Sequence, residues 1–123
     1  MSTDSPTSVP LRQRLRAALP AALKARDAVA VAALRGTLAA IDNAEAVPPA
    51  TPDGRGMAIE HSPVGVGAAE AQRRVLTEAD VARIVRAEVA EREAAARGYD
   101  GAGRPERAER LRAEAGILVA HLG

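Results

Sequence analysis

The chain has 123 residues, a length that fits one domain with a thin core, because about half of its 47% hydrophobic content is alanine. Seventeen basic and sixteen acidic residues leave a net charge of +1, so the overall field gives no reason to expect nucleic-acid binding, although a local basic face remains open. No cysteine is present, which excludes disulfides, thiolate zinc sites and cysteine nucleophiles.

The richness in Ala, Leu, Arg and Glu predicts helix throughout, and strand-type alternation is almost absent. Residues 1–8 (Met1-Ser2-Thr3-Asp4-Ser5-Pro6 onward) read as a disordered lead-in with neither the charge nor the apolar run of a signal peptide. No apolar stretch is long enough to span a bilayer, and the expected location is the cytoplasm.

The first helix is expected over 9–25, starting near Val9-Pro10, with Leu11, Leu15, Leu19, Ala22 and Leu23 on one face. Pro20 sits inside that stripe, where it removes the bond to the Arg16 carbonyl and predicts a bend. Asp27 is an N-cap for a second helix over 28–46, whose stripe is Val31, Leu34, Leu38 and Ile41. Gly36 lies inside this helix at a cost of ~1 kcal/mol relative to Ala, and close approach of a neighbouring helix would explain it.

Pro, Gly and small residues over 47–72 predict a long flexible loop. Thr77 with Asp80 then forms a capping-box pattern, flanked by Leu76 and Val81 as a hydrophobic staple. The third helix is expected over 77–97, with Val81, Ile84, Val85 and Val89 as its stripe and Gly98 at its end. Glu88–Arg92 and Glu93–Arg97 are spaced for ion pairs along it. Pro105 opens a fourth helix over 105–122, with Glu106 and Glu109 near its positive end and a seam of Ala108, Leu111, Ala115, Leu118 and Leu122. The expected fold is all-α: a small antiparallel four-helix bundle made of two αα-hairpins, with residues 9–122 as a single domain.

A reactive constellation is hard to find. His61 and His121 are far apart, and no zinc motif or Ser/His/Asp unit stands near either. Gly98-Tyr99-Asp100-Gly101 has the form of a strand-clamping G-x-x-G loop but lacks the surrounding sheet, so it reads as a turn between helices. Glu88, Glu91, Glu93, Glu106, Glu109 and Glu114 alternate with arginines and read as a solvated, ion-paired face. The first two helices are more basic: Arg12, Arg14, Arg16, Lys24, Arg26 and Arg35 stand against Asp27, Asp42 and Glu45. From this half Arg12, Arg16 and Arg35 are candidate contacts to phosphate or to an acidic partner.

Leu34-Arg35, Ala40-Ile41 and Asn43-Ala44-Glu45 together resemble the second helix of the GatB/YqeY family. Leu76-Thr77-Glu78-Ala79-Asp80-Val81 looks like that family's third-helix start. Arg92, Tyr99, Ala102-Gly103-Arg104, Glu106, Ala108, Glu114, Leu118 and Leu122 look like the following helical hairpin. The likeness covers about 11–46 and 76–122 and is to the family's helical domain without its C-terminal tail domain. It implies the helical part of the tRNA-dependent amidotransferase B subunit, a family associated with carbon–nitrogen ligase activity using glutamine as amido-nitrogen donor. It adds Arg92, Tyr99 and Arg104 to the candidate binding residues. The kinase-like catalytic portion of that subunit has no counterpart here, so no catalytic residue, cofactor or metal is expected. The expected function is an accessory binding domain, its candidate partners being tRNA or an amidotransferase-related protein. The alternative is a protein-interaction or homodimerisation module with no RNA role.

Overall fold

The computed structural model describes residues 9–46 and 75–123. The expected disordered lead-in at 1–8 and the expected loop at 47–72 lie outside the described residues.

Among the described residues there are four helices and no strand: α1 (Leu11–Lys24), α2 (Ala28–Glu45), α3 (Glu78–Gly101) and α4 (Pro105–Leu122). α1 pairs with α2 and α3 with α4, and α2 lies against both helices of the second hairpin. The core is Leu11 and Leu15 of α1, Ala33, Leu34 and Ile41 of α2, Val81, Val85 and Val89 of α3, and Ala115 and Leu118 of α4. The stripe on α2 is rotated from the expected one. Ala30, Ala33 and Thr37 are buried, whereas Val31 and Leu38 sit at the margin. The reason is packing: α2 faces three helices, and its small side chains permit close approach where larger ones would not.

Each helix start has a physical cause. Asp27 accepts from the Ala30 N–H at 3.1 Å and caps α2. Thr77 accepts from the Asp80 N–H while Asp80 accepts from the Thr77 N–H, both at 3.0 Å, which completes the capping box of α3. Those bonds hold the Asp80 carboxyl below the usual carboxylate range, backbone bond first, with Arg83 adding to the effect. Pro105 occupies the first turn of α4. α1 has no side-chain cap of its own. Its first N–H, on Leu11, is taken instead by Glu78 Oε2 of α3 at 2.8 Å. The same end of α1 reaches α4, since Arg14 Nη2 donates to the His121 carbonyl at 3.1 Å. Arg12 likewise ties α1 to Asp42 and Glu45 in the last turn of α2, so the starts of α1 and α3 and the ends of α2 and α4 share one end of the bundle.

α1 stays one helix through Pro20, which lies on its exposed side with Arg16. It closes at Arg26, the one non-glycine described residue with positive φ, at 58°. The Asp27 N–H bonds the Ala22 carbonyl and the Arg26 N–H bonds the Leu23 carbonyl, both at 3.0 Å, the bond pair of a Schellman end. Glycine is the residue that fits this conformation without strain. We expect Arg26→Gly to stabilise the fold by about 1 kcal/mol, read as a higher urea midpoint at unchanged m-value; a lower midpoint would show that the arginine is fixed there by contacts worth more than the strain.

α3 does not stop at Gly98 as expected. It runs three residues further to Gly101 and closes on Gly103, at φ 78°. The Arg104 N–H bonds the Tyr99 carbonyl at 2.8 Å and the Gly103 N–H bonds the Asp100 carbonyl at 3.1 Å, a second Schellman end. The Gly98–Gly101 segment is thus the last turn of a helix, not a loop between helices.

Thr37 is fully buried on α2, and its hydroxyl has no hydrogen-bond partner among the described residues. Valine has the same shape without the polar atom. Thr37→Val should raise stability by about 1 kcal/mol, since an unpaired buried hydroxyl carries its desolvation cost uncompensated. A calorimetric Tm at or below that of the parent chain would refute this.

Candidate binding surface on the second hairpin

The six candidate residues fall into two groups. Arg12 and Arg92 are structural. Arg12 Nη2 lies 2.6 Å from Asp42 and 2.9 Å from Glu45, which joins α1 to the last turn of α2. Hydrogen bonds to Glu45 and then Asp42 hold its guanidinium above the ordinary arginine range. Arg92 bridges the second hairpin: its Nη1 meets Glu88 at 2.8 Å and its Nε meets Glu114 of α4 at 2.9 Å. Burial pulls the Arg92 guanidinium downward, but hydrogen bonds to Glu88 and Glu114 outweigh it and the net direction is up. Both side chains are nearly enclosed, Arg92 at 13% and Glu114 at 11% exposure. Glu114 is therefore not part of the solvated face the alternating charges suggested.

The expected Glu88–Arg92 pair forms, whereas Glu93–Arg97 is not paired. The Arg92 network also explains Gly36. A methyl group there would stand 2.9 Å from Arg92 Nη2, so the close approach on α2 is made by a side chain of α3.

The other four candidates are available at the surface. Arg16 and Arg35 are exposed on α1 and α2, and neither has an ion-pair or hydrogen-bond partner among the described residues. Arg104 is exposed as the uncapped residue before α4. Tyr99 is half-buried on the last turn of α3. The Arg107 guanidinium lies 5.5 Å from the centroid of the Tyr99 ring, and its Nη1 reaches the Tyr99 hydroxyl at 3.5 Å.

Tyr99 lines an open groove of about 440 Å³ with Glu106, Arg107, Arg110, Leu111 and Glu114. A smaller one, about 270 Å³, shares Leu111 and Glu114 and continues along α3 past Glu88 and Arg92. Register explains the arrangement. The Arg92–Glu114 and Tyr99–Arg107 pairs are both centred on Gly103, so the tight turn at that glycine places both contacts. Between residues 97 and 112 there are five arginines against three carboxylates. Asp100 is taken by Arg112, while Arg97, Arg104 and Arg110 have no ion-pair partner among the described residues.

Arg107 and Arg110 escaped the sequence reading. Their signal was present: residues 107, 110, 111 and 114 share one helical face. It becomes informative only when the Gly103 turn brings Tyr99 against that face.

No group of histidine and carboxylate side chains able to hold a metal exists among the described residues. No described helix is long and apolar enough to cross a membrane. Comparison with family models, curated proteins and solved structures returns no match to this chain.

Proposed function

We propose that this chain is a helical binding module with no active site of its own, of the kind the GatB/YqeY likeness implies, and that it associates with tRNA through the arginine-rich end of the α3–α4 hairpin. The observation that carries this reading is the concentration of arginines without carboxylate partners around the only aromatic side chain, Tyr99. Arginines of this kind contact phosphate, and a half-exposed aromatic ring offers a stacking surface. The residues that carry the family likeness support a shared scaffold more than shared chemistry. Leu34, Ala108 and Leu118 are core, Thr77 and Asp80 form a cap, Gly103 closes a helix, and Arg92 and Glu114 pair with each other.

Filter binding with tRNA across a salt series tests the proposal. The expected result is saturable binding that weakens as salt rises, and a further weakening in Arg104→Glu/Arg110→Glu. Absence of saturable, salt-sensitive retention at low ionic strength would remove the RNA reading.

A second reading, a helical interaction or homodimerisation module without an RNA role, is favoured by apolar side chains left at one end of the bundle. Val9 (43% exposed), Val75 (87%) and Val119 (49%) all lie at the end where α1 and α3 begin. The seam over 108–122 does not add to it, because Ala108, Ala115 and Leu118 are buried within the chain. Sedimentation equilibrium decides: a strict monomer at high concentration leaves self-association without support.

A further inference from the structure

The groove beside Tyr99 contains more than a phosphate contact requires. It presents three different groups at once. Arg107 lies over the Tyr99 ring, so a guanidinium and an aromatic ring stand side by side. Arg110 contributes a cation with no ion-pair partner among the described residues. Glu106 contributes an acceptor-only carboxylate that is likewise unpaired there, whereas Glu114, the other carboxylate of the groove, is held by Arg92. Leu111 supplies apolar surface between them.

A ligand that satisfies all three must be flat and aromatic, carry an anion, and donate hydrogen bonds from its ring edge. A simple anion fails the third condition, because Glu106 would repel it. An acidic peptide fails for the same reason and brings nothing to stack. We propose that this groove takes a single unpaired nucleotide whose base bears an exocyclic amino group; the inference rests on the tRNA reading above and narrows it to one site. The base stacks on the Arg107–Tyr99 pair, its phosphate meets Arg110, and its amino group donates to Glu106. Adenine, cytosine and guanine have such an amino group, whereas uracil offers only its single ring N3–H. The volume, about 440 Å³, falls within the roughly 300–1,000 Å³ of small-ligand sites.

Tyr99 is the sole aromatic residue of the chain, so intrinsic tyrosine fluorescence reports on this site alone. Titration of the full chain with single-stranded oligoadenylate, corrected for nucleotide absorbance, should quench that emission saturably, and about fivefold more tightly than oligouridylate. With labelled oligoadenylate and anisotropy as the readout, Tyr99→Ala and Arg110→Glu should each weaken binding by about tenfold, while Tyr99→Phe, which keeps the stacking ring, stays within about threefold. Helicity by circular dichroism should be unchanged in all three. Equal or tighter binding of oligouridylate overturns the assignment of Glu106 to an amino group. Filter-bound tRNA without any oligoadenylate quench overturns the site while leaving the tRNA reading intact. Absence of both removes both. Quenching by polyglutamate in place of RNA would identify a protein partner and overturn the nucleotide assignment.

Discussion

Replacing Arg92 by methionine is expected to lower stability by about 3 kcal/mol, the largest loss of any single polar substitution among the described residues. The guanidinium charge is not itself what stabilises the fold. The loss arises because Glu114, at 11% exposure, and Glu88 would both lose the guanidinium that they bond in the parent chain. Methionine retains most of the aliphatic stem, so packing changes little and the charge effect is isolated. Two second-site changes separate this account from a general loss of fit. Glu114→Gln should cost less in the Arg92→Met background than in the parent chain, since the charge it removes is then unpaired. Gly36→Ala should be close to neutral in the parent chain, where the added methyl meets Arg92 Nη2 at 2.9 Å and offsets the gain in helix propensity. In the Arg92→Met background it should stabilise by about 1 kcal/mol. Urea unfolding of the parent chain, the single variants and the two double variants measures each term. A loss below about 1 kcal/mol for Arg92→Met would show that Glu114 reaches water or another donor, as exposed pairs do.

The bundle and its helix starts were legible in the sequence because caps act locally. Asp27 and the Thr77–Asp80 box bond to N–H groups three residues away, and Pro105 needs no partner at all. Helix ends were harder to read. Gly98 has the composition of a stop, but its propensity cost is small beside the closure at Gly103, where two main-chain bonds form together. At Arg26 no glycine announces the left-handed position. What was hidden entirely was pairing across helices. Arg92 is separated from Glu114 by 22 residues, so the alternating charges that suggest a solvated face conceal a nearly buried bridge. The groove is hidden for the same reason, since Tyr99 and Arg107 meet only after the turn is made. Of the candidates chosen from charge, Arg12 is held by Asp42 and Glu45, and a bound arginine of this kind is a weaker contact to phosphate than an unpaired one.

Ala108 supplies the second large effect and ties stability to the groove. It is fully buried on α4, as Ala96 is on α3, and α3 and α4 form the most extensive helix–helix contact among the described residues. Small residues at this level allow the two helices to approach closely enough for Arg107 to reach Tyr99 and for Arg92 to reach Glu114. Ala108→Leu adds three carbons where there is no space and should destabilise by about 2 kcal/mol through overpacking. Ala113→Leu, on the exposed side of the same helix, should change stability by less than about 0.5 kcal/mol and serves as the control. The two helices of the hairpin would be forced apart next to Tyr99, so the leucine variant should also show greater acrylamide quenching of Tyr99 emission, a change that Ala113→Leu would not produce. If Ala108→Leu unfolds like the parent chain and Tyr99 is no more accessible, the α3–α4 interface has slack, and the groove is not held in shape by the small residues beneath it.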